Sequence, residues 1–166
     1  MTLRLLLACA ALAACGHAEK SEDSVALPAY PRERELIEFF VAAASEFRFF
    51  IDPASISVGN DGVVRYTLVA RSAAGAQNVS YEGMRCSTGE MRIYALGRDG
   101  GWVKSSGDWR AIQPRSVQRW HNALYREYFC PQKEPVASRR EGVESLRRGG
   151  HPLYDDLPRG GSGSGW

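Results

Sequence analysis

The chain is short of nearly every residue from which familiar active sites are built. Its 166 residues hold three histidines, His17, His121 and His151, and four cysteines. No GxSxG or SxxK sequence marks a nucleophilic serine. No CxxC spacing occurs, and no second cysteine or histidine stands close to Cys86 or Cys130, which speaks against a zinc set or a redox dithiol. Lysine is nearly missing, with Lys20, Lys104 and Lys133 against 18 arginines, and a net charge of +2 leaves no footprint for nucleic acid. No apolar run is long enough for a permanent membrane span, and no internal repeat is visible. The glycines of Gly97-Arg98-Asp99-Gly100-Gly101 lack the helix that a phosphate cradle needs behind it, and Asp52 and Asp61 read as turn acids. No cofactor and no metal is implied, and the balance leans away from an enzyme.

The N-terminus carries the strongest positive signal. Arg4 precedes the apolar run LLLACAALAA, which has the length of a secretory signal's hydrophobic region, so residues 1–14 read as a signal peptide. Its end, Leu12-Ala13-Ala14-Cys15-Gly16, resembles a bacterial lipobox. That resemblance implies a mature chain beginning at a lipidated Cys15; an ordinary cleaved signal or an uncleaved anchor is the alternative. Several acyl chains on one residue would hold the protein to a bilayer, where a single chain binds only marginally. Gly16, in place of the aspartate that marks inner-membrane retention in such lipoproteins, implies the outer membrane, facing either the periplasm or the cell surface.

Export decides how the other cysteines are read. Cys9 leaves with the signal and Cys15 carries lipid, so Cys86 and Cys130 stand alone in an oxidising compartment, where a structural disulfide is the default. Residues 15–31, polar and then punctuated by proline, read as the lipidated cysteine and a flexible linker. Residues 32–133 read as an α+β domain, a meandering antiparallel β-sheet packed by a C-terminal helix that one disulfide holds. Its centre is a hairpin from Val79 to Leu96 around Ser87-Thr88-Gly89-Glu90. Further strands are expected at Leu36 to Ala42, at Phe47 to Asp52 ending before Pro53, at Val63 to Ala70, and as short edges around Trp102-Val103 and Trp109 to Ile112. The sequence SVQRWHNALYREYF, with Val117, Trp120, Leu124 and Tyr128 on one face, predicts the helix. Residues 134–149 hold a short second helix capped by Ser138 and anchored only by Val143 and Leu146, and residues 150–166 read as a disordered tail.

Few residues are left as candidates for chemistry. Arg65, Glu82, Arg85 and Arg92 fall on adjacent predicted strands, where Glu82 pairs with an arginine across the sheet or the arginines form a ligand-facing patch. His121, on the predicted helix, is a surface or satisfied histidine unless a nucleophile or an orienting carboxylate stands beside it.

At VRYTLV (Val64 to Val69), NVSYEGMRC (Asn78 to Cys86), IYALGR (Ile93 to Arg98) and YFCP (Tyr128 to Pro131), the chain resembles the cryptic neisserial protein-like family of proteobacterial envelope proteins, which carries no assigned molecular activity. Ile51-Asp52-Pro53, a cysteine on a central strand, WRAIQPRSV (Trp109 to Val117) and a late cysteine are also similar to surface-adhesin E domains. The second resemblance implies an antiparallel sheet with a C-terminal helix tied on by a disulfide, and adhesion to a host or neighbouring surface. The expectation is therefore a lipid-anchored envelope protein with a non-catalytic binding or structural role. Its expected partners are the membrane, through the N-terminal lipid, and other envelope proteins, peptidoglycan or an external surface. The alternatives are a periplasmic hydrolase or enzyme accessory working through His121 and the strand arginines, and an assembly or chaperone factor for outer-membrane proteins.

Overall fold

Val63 to Ala70 is a run of β-branched, aromatic and aliphatic residues interrupted only by Arg65 and Thr67, and every one of its positions is buried. A strand buried on both sides needs cover on both sides, and the rest of the chain supplies it. The computed structural model describes residues 24–42, 45–114 and 119–155; the expected signal peptide, residues 1–14, and the expected lipidation site Cys15 lie outside them. Seven strands form one antiparallel sheet: β1 (Ile37–Phe39), β2 (Phe47–Val58), β3 (Val63–Ser72), β4 (Gln77–Arg85), β5 (Glu90–Arg98), β6 (Gly101–Lys104) and β7 (Arg110–Ala111). The first six lie side by side in chain order, and β7 shares the outer edge of β5 with β6. The meandering sheet and the central hairpin are as the sequence predicts.

Strand β2 departs from expectation at Pro53. The chain stays extended through the proline to Val58, and the register against β3 shifts between Asp52 and Ser57. In the shifted stretch the Ser55 hydroxyl accepts from the Thr67 amide at 2.7 Å and donates to the Asp52 carbonyl at 2.7 Å. The irregularity places the proline where no ladder bond is needed from its missing N–H, so the strand need not end there.

One face of the sheet carries the main core. Phe49, Ile51, Ile56, Val64, Tyr66, Leu68 and Met84 meet a helical layer that supplies Leu124, Tyr128, Phe129 and Leu146. The layer begins with α1 (Arg119–Ala123), which widens into π-helical turns over Leu124–Phe129; a single regular α-helix was expected here. Leu124, Tyr128 and Phe129 are buried along this wider turn. The expected helix start, Ser116 and Val117, lies outside the described residues. Cys86 and Cys130 form the disulfide, with an S–S distance of 2.03 Å and Cα atoms 5.2 Å apart, tying the hairpin turn to the end of the helical segment.

Helix α2 (Arg139–Arg148) is capped as predicted by Ser138, whose hydroxyl accepts from the Glu141 amide at 3.3 Å. The Glu141 carboxylate accepts from the Ala137 amide instead of that of Ser138. Its docking is closer than two apolar anchors imply. Gly142 and Ser145 are buried with Leu146, the Ser145 hydroxyl donates to the Tyr128 carbonyl at 2.8 Å, and Arg139 Nε donates to the Ile56 carbonyl at 2.8 Å. The segment read as a tail begins as ordered chain: buried His151 donates its amide to the Glu127 carbonyl, and α3 (Pro152–Asp155) follows. Residues 156–166 lie outside the described part.

The opposite face is covered by a part of the chain expected to be linker. Val25 and Leu27 pack against Tyr81, Tyr94 and Ala95, while Tyr30 and Leu36 pack against Phe50, Val69 and Val79. Trp102 joins the two clusters; its ring lies 5.2 Å from that of Tyr30, and its indole nitrogen donates to the Pro28 carbonyl at 2.9 Å. Gly97 makes room for this strap, since a Cβ there would lie 2.7 Å from both the Tyr30 hydroxyl and Val79. Val25, Leu27 and Tyr30 supply enough apolar surface to dock a segment whose proline-rich composition reads as unstructured.

Candidate functional site: a groove over a buried carboxylate

Strand pairing places Glu82 opposite Tyr66 and Ser80 opposite Leu68, so both point to the helical side of the sheet. There α1 brings in His121. Glu82 Oε1 accepts from the Ser80 hydroxyl at 2.7 Å, and Oε2 lies 2.8 Å from His121 Nε2. The Glu82 and His121 side chains are 2% and 6% exposed. A buried carboxylate is tolerable only with such partners. Tyr66, fully buried beside this carboxylate, has its hydroxyl ionisation pushed well above the usual range, first by burial and then by the charge of Glu82.

These polar groups line a cavity of about 270 Å³ whose other walls are mostly apolar, Phe47, Phe49, Leu68, Ile93, Leu96 and Trp120 among them, with the Asn78 amide as a further polar group. Trp120 stacks on Phe49 with ring centroids 4.9 Å apart, and its indole N–H is buried without an acceptor among the described residues. Leu96 and Phe47 are 41% and 38% exposed, and Val103, the cross-strand neighbour of Leu96, is 50% exposed. An exposed apolar strip thus runs from the sheet edge toward a polar floor. The volume is near the lower end for small-molecule sites.

The arginines take a different course from the one expected. Arg65 is paired with Gly83, and Gly83 with Arg92, so these side chains stand on the strap side of the sheet and Glu82 on the helical side. The expected cross-sheet bridge from Glu82 to an arginine therefore does not form. Arg65 instead holds Asp61, with nitrogen to oxygen distances of 3.2 and 2.5 Å. Burial works against the Arg65 charge, but the Asp61 bond and the contact with Tyr94 outweigh it and raise its pKa above the ordinary value. Arg65 and Arg92 both lie over the Tyr94 ring, at 5.7 and 5.6 Å, and Arg85 pairs with Glu90 while lying 4.2 Å over the Trp109 ring. Tyr94 lies against Gly83, where a Cβ would meet its ring carbon at 2.7 Å.

Sequence reasoning missed Ser80 as a partner of Glu82, and Asp61 as a partner of Arg65. The signal for Asp61 was present, because a turn acid four residues before a strand arginine can reach it. For His121 no local signal exists, since only the pairing register and the helix position bring it to Glu82; for Ser80 the signal was present, because it stands two residues before Glu82 and strand alternation puts both on one face. Among the described residues there is no group of three or more His, Cys, Asp or Glu side chains placed to hold a metal ion, and no helix long and apolar enough to cross a membrane.

A family model for the CNP1-like family matches residues 17–147, which takes in the sheet, the disulfide, the helical layer to near the end of α2, and every residue of the groove. It bears on the first of the two resemblances only. Neither the curated proteins nor the solved structures contain a match to the chain.

Proposed function

The chain belongs to the CNP1-like family, and from that premise we propose that it is a non-catalytic binding module of the bacterial envelope, lipid-anchored through Cys15, which receives its ligand in the groove between β4, β5 and α1. The single observation carrying this reading is the apolar cavity set over the buried Ser80–Glu82–His121 network. An apolar pocket with a few convergent polar groups is how proteins hold small ligands. The lipobox at Cys15 supports the anchoring, and intact mass of the mature protein checks it: a chain starting at Cys15 without added lipid mass would remove that part of the proposal.

A hydrolase reading gains one feature, an imidazole held by a buried carboxylate. It is the weaker reading because the Ser80 hydroxyl donates to Glu82, so the carboxylate stands between serine and histidine. The experiment that tests the binding reading places a photoreactive amino acid at Leu96, in the groove mouth, or at the comparably exposed Leu153 of α3. Irradiation in the native envelope should give a discrete adduct at Leu96 alone. The same adducts at both positions, or none at either, would refute the groove as the recognition site.

A further inference from the structure

The groove joins two features that favour one kind of ligand. Its walls include three aromatic rings, Phe47, Phe49 and Trp120, and its floor holds a carboxylate with 2% of its side chain exposed. Arg65, Arg85 and Arg92 stand on the other side of the sheet, and among the described residues the one basic group hydrogen-bonded to Glu82 is the imidazole of His121. A carboxylate offers about four acceptor positions; the Ser80 hydroxyl and His121 Nε2 occupy two of them, and the buried Tyr66 hydroxyl, which also acts on this carboxylate, competes for a third. Aromatic rings attract cations through their quadrupole, and more strongly where water is excluded. An anionic ligand would meet the Glu82 charge in a low-dielectric setting, where repulsion is largest.

We propose that the groove binds a small organic cation, an ammonium group on an apolar body, with the body between Phe47, Leu96 and Trp120 and the charged head against Glu82. This rests on the reading of the groove as the recognition site and assigns its chemical class of ligand. Binding adds the head as a further donor to the carboxylate, and it leaves the bonds from Ser80 and His121 in place.

The test compares three probes of one shape and different charge: phenethylammonium, phenethyl alcohol and hydrocinnamate. Each is titrated into the full mature chain in zwitterionic nanodiscs, following the Trp120 indole N–H resonance, which a Trp120→Phe variant identifies. The cation should bind about tenfold more tightly than the anion, with the alcohol between them. Glu82→Gln keeps the shape of the side chain and should bring cation and anion to within about twofold while leaving the alcohol unchanged. Should that variant not fold, Leu96→Lys at the exposed mouth should weaken the cation selectively. Equal or tighter binding of hydrocinnamate, with the Trp120 signal moving, overturns the charge assignment and leaves the groove standing. A Trp120 signal that none of the probes moves overturns both.

Discussion

Two acid–base pairs lie buried in this sheet, one on each face, and their side chains are equally covered: 6% and 2% exposed for Arg65 and Asp61, and 6% and 2% for His121 and Glu82. Their settings differ in every other respect. The Arg65–Asp61 pair is local, four residues apart, and the Tyr94 ring lies against the guanidinium. Arginine stays charged at any relevant pH, and its planar fork matches a carboxylate, so this pair reads as fixed structure. The Glu82–His121 pair spans 39 residues, joins a strand to a helix, and borders a cavity. Equal burial therefore does not mean equal purpose, and what separates the pairs is the space beside them.

The helical face depends on a long-range staple that the strap face lacks, so removing it should have the largest effect. Cys86→Ala with Cys130→Ala opens a loop with a sequence separation of 44, which the chain-entropy account values at about 4 kcal/mol. Urea denaturation of the double variant against the oxidised wild type measures it; a loss under about 1 kcal/mol would mean that the helical layer holds without the staple. Next come the two pairs themselves. Asp61→Ala leaves a buried guanidinium without its carboxylate and should cost about 3 kcal/mol. His121→Ala leaves Glu82 still bonded to Ser80, beside a groove that can admit water, and should cost about 2 kcal/mol. The midpoints of the two variants, measured together, decide whether the faces differ: if His121→Ala is the more damaging, the pair beside the cavity is the structural one and the comparison reverses.

The sequence carried the architecture further than it carried the site. Period-two alternation, turn residues and two lone cysteines in a chain read as exported were enough for a meandering antiparallel sheet with a stapled helical layer. The strap was missed because Val25, Leu27 and Tyr30 are spaced among prolines and small residues that read as linker, and only the exposed back of the sheet gives them something to cover. The close docking of α2 was missed because it rests on Gly142 and Ser145, small residues that carry no hydrophobic signal. Glu82 and His121 were each singled out, but as a strand acid and a lone helical histidine. Joining them requires the β3–β4 register and the position of α1 over the sheet, neither of which is written locally. A shift of one residue in that register would have turned Glu82 toward the arginines, as expected from the sequence.

The smallest expected effect probes whether the two faces are independent. Trp102 holds the strap through its indole bond to Pro28 and its ring contact with Tyr30. Trp102→Phe keeps an aromatic ring and most apolar contact but removes the one donor, so its cost should be about 1 kcal/mol. Amide exchange should rise along residues 24–36, where the strap would loosen, and stay unchanged in α1 and in the hairpin. Ligand affinity in the groove should also stay unchanged, because Trp102 points away from it: Gly97 pairs with Trp102 on the strap side, whereas Leu96 pairs with Val103 on the groove side. A change in groove binding on Trp102→Phe would mean that β5 and β6 transmit the state of the strap through the sheet. The strap face could then no longer be treated as scaffold alone.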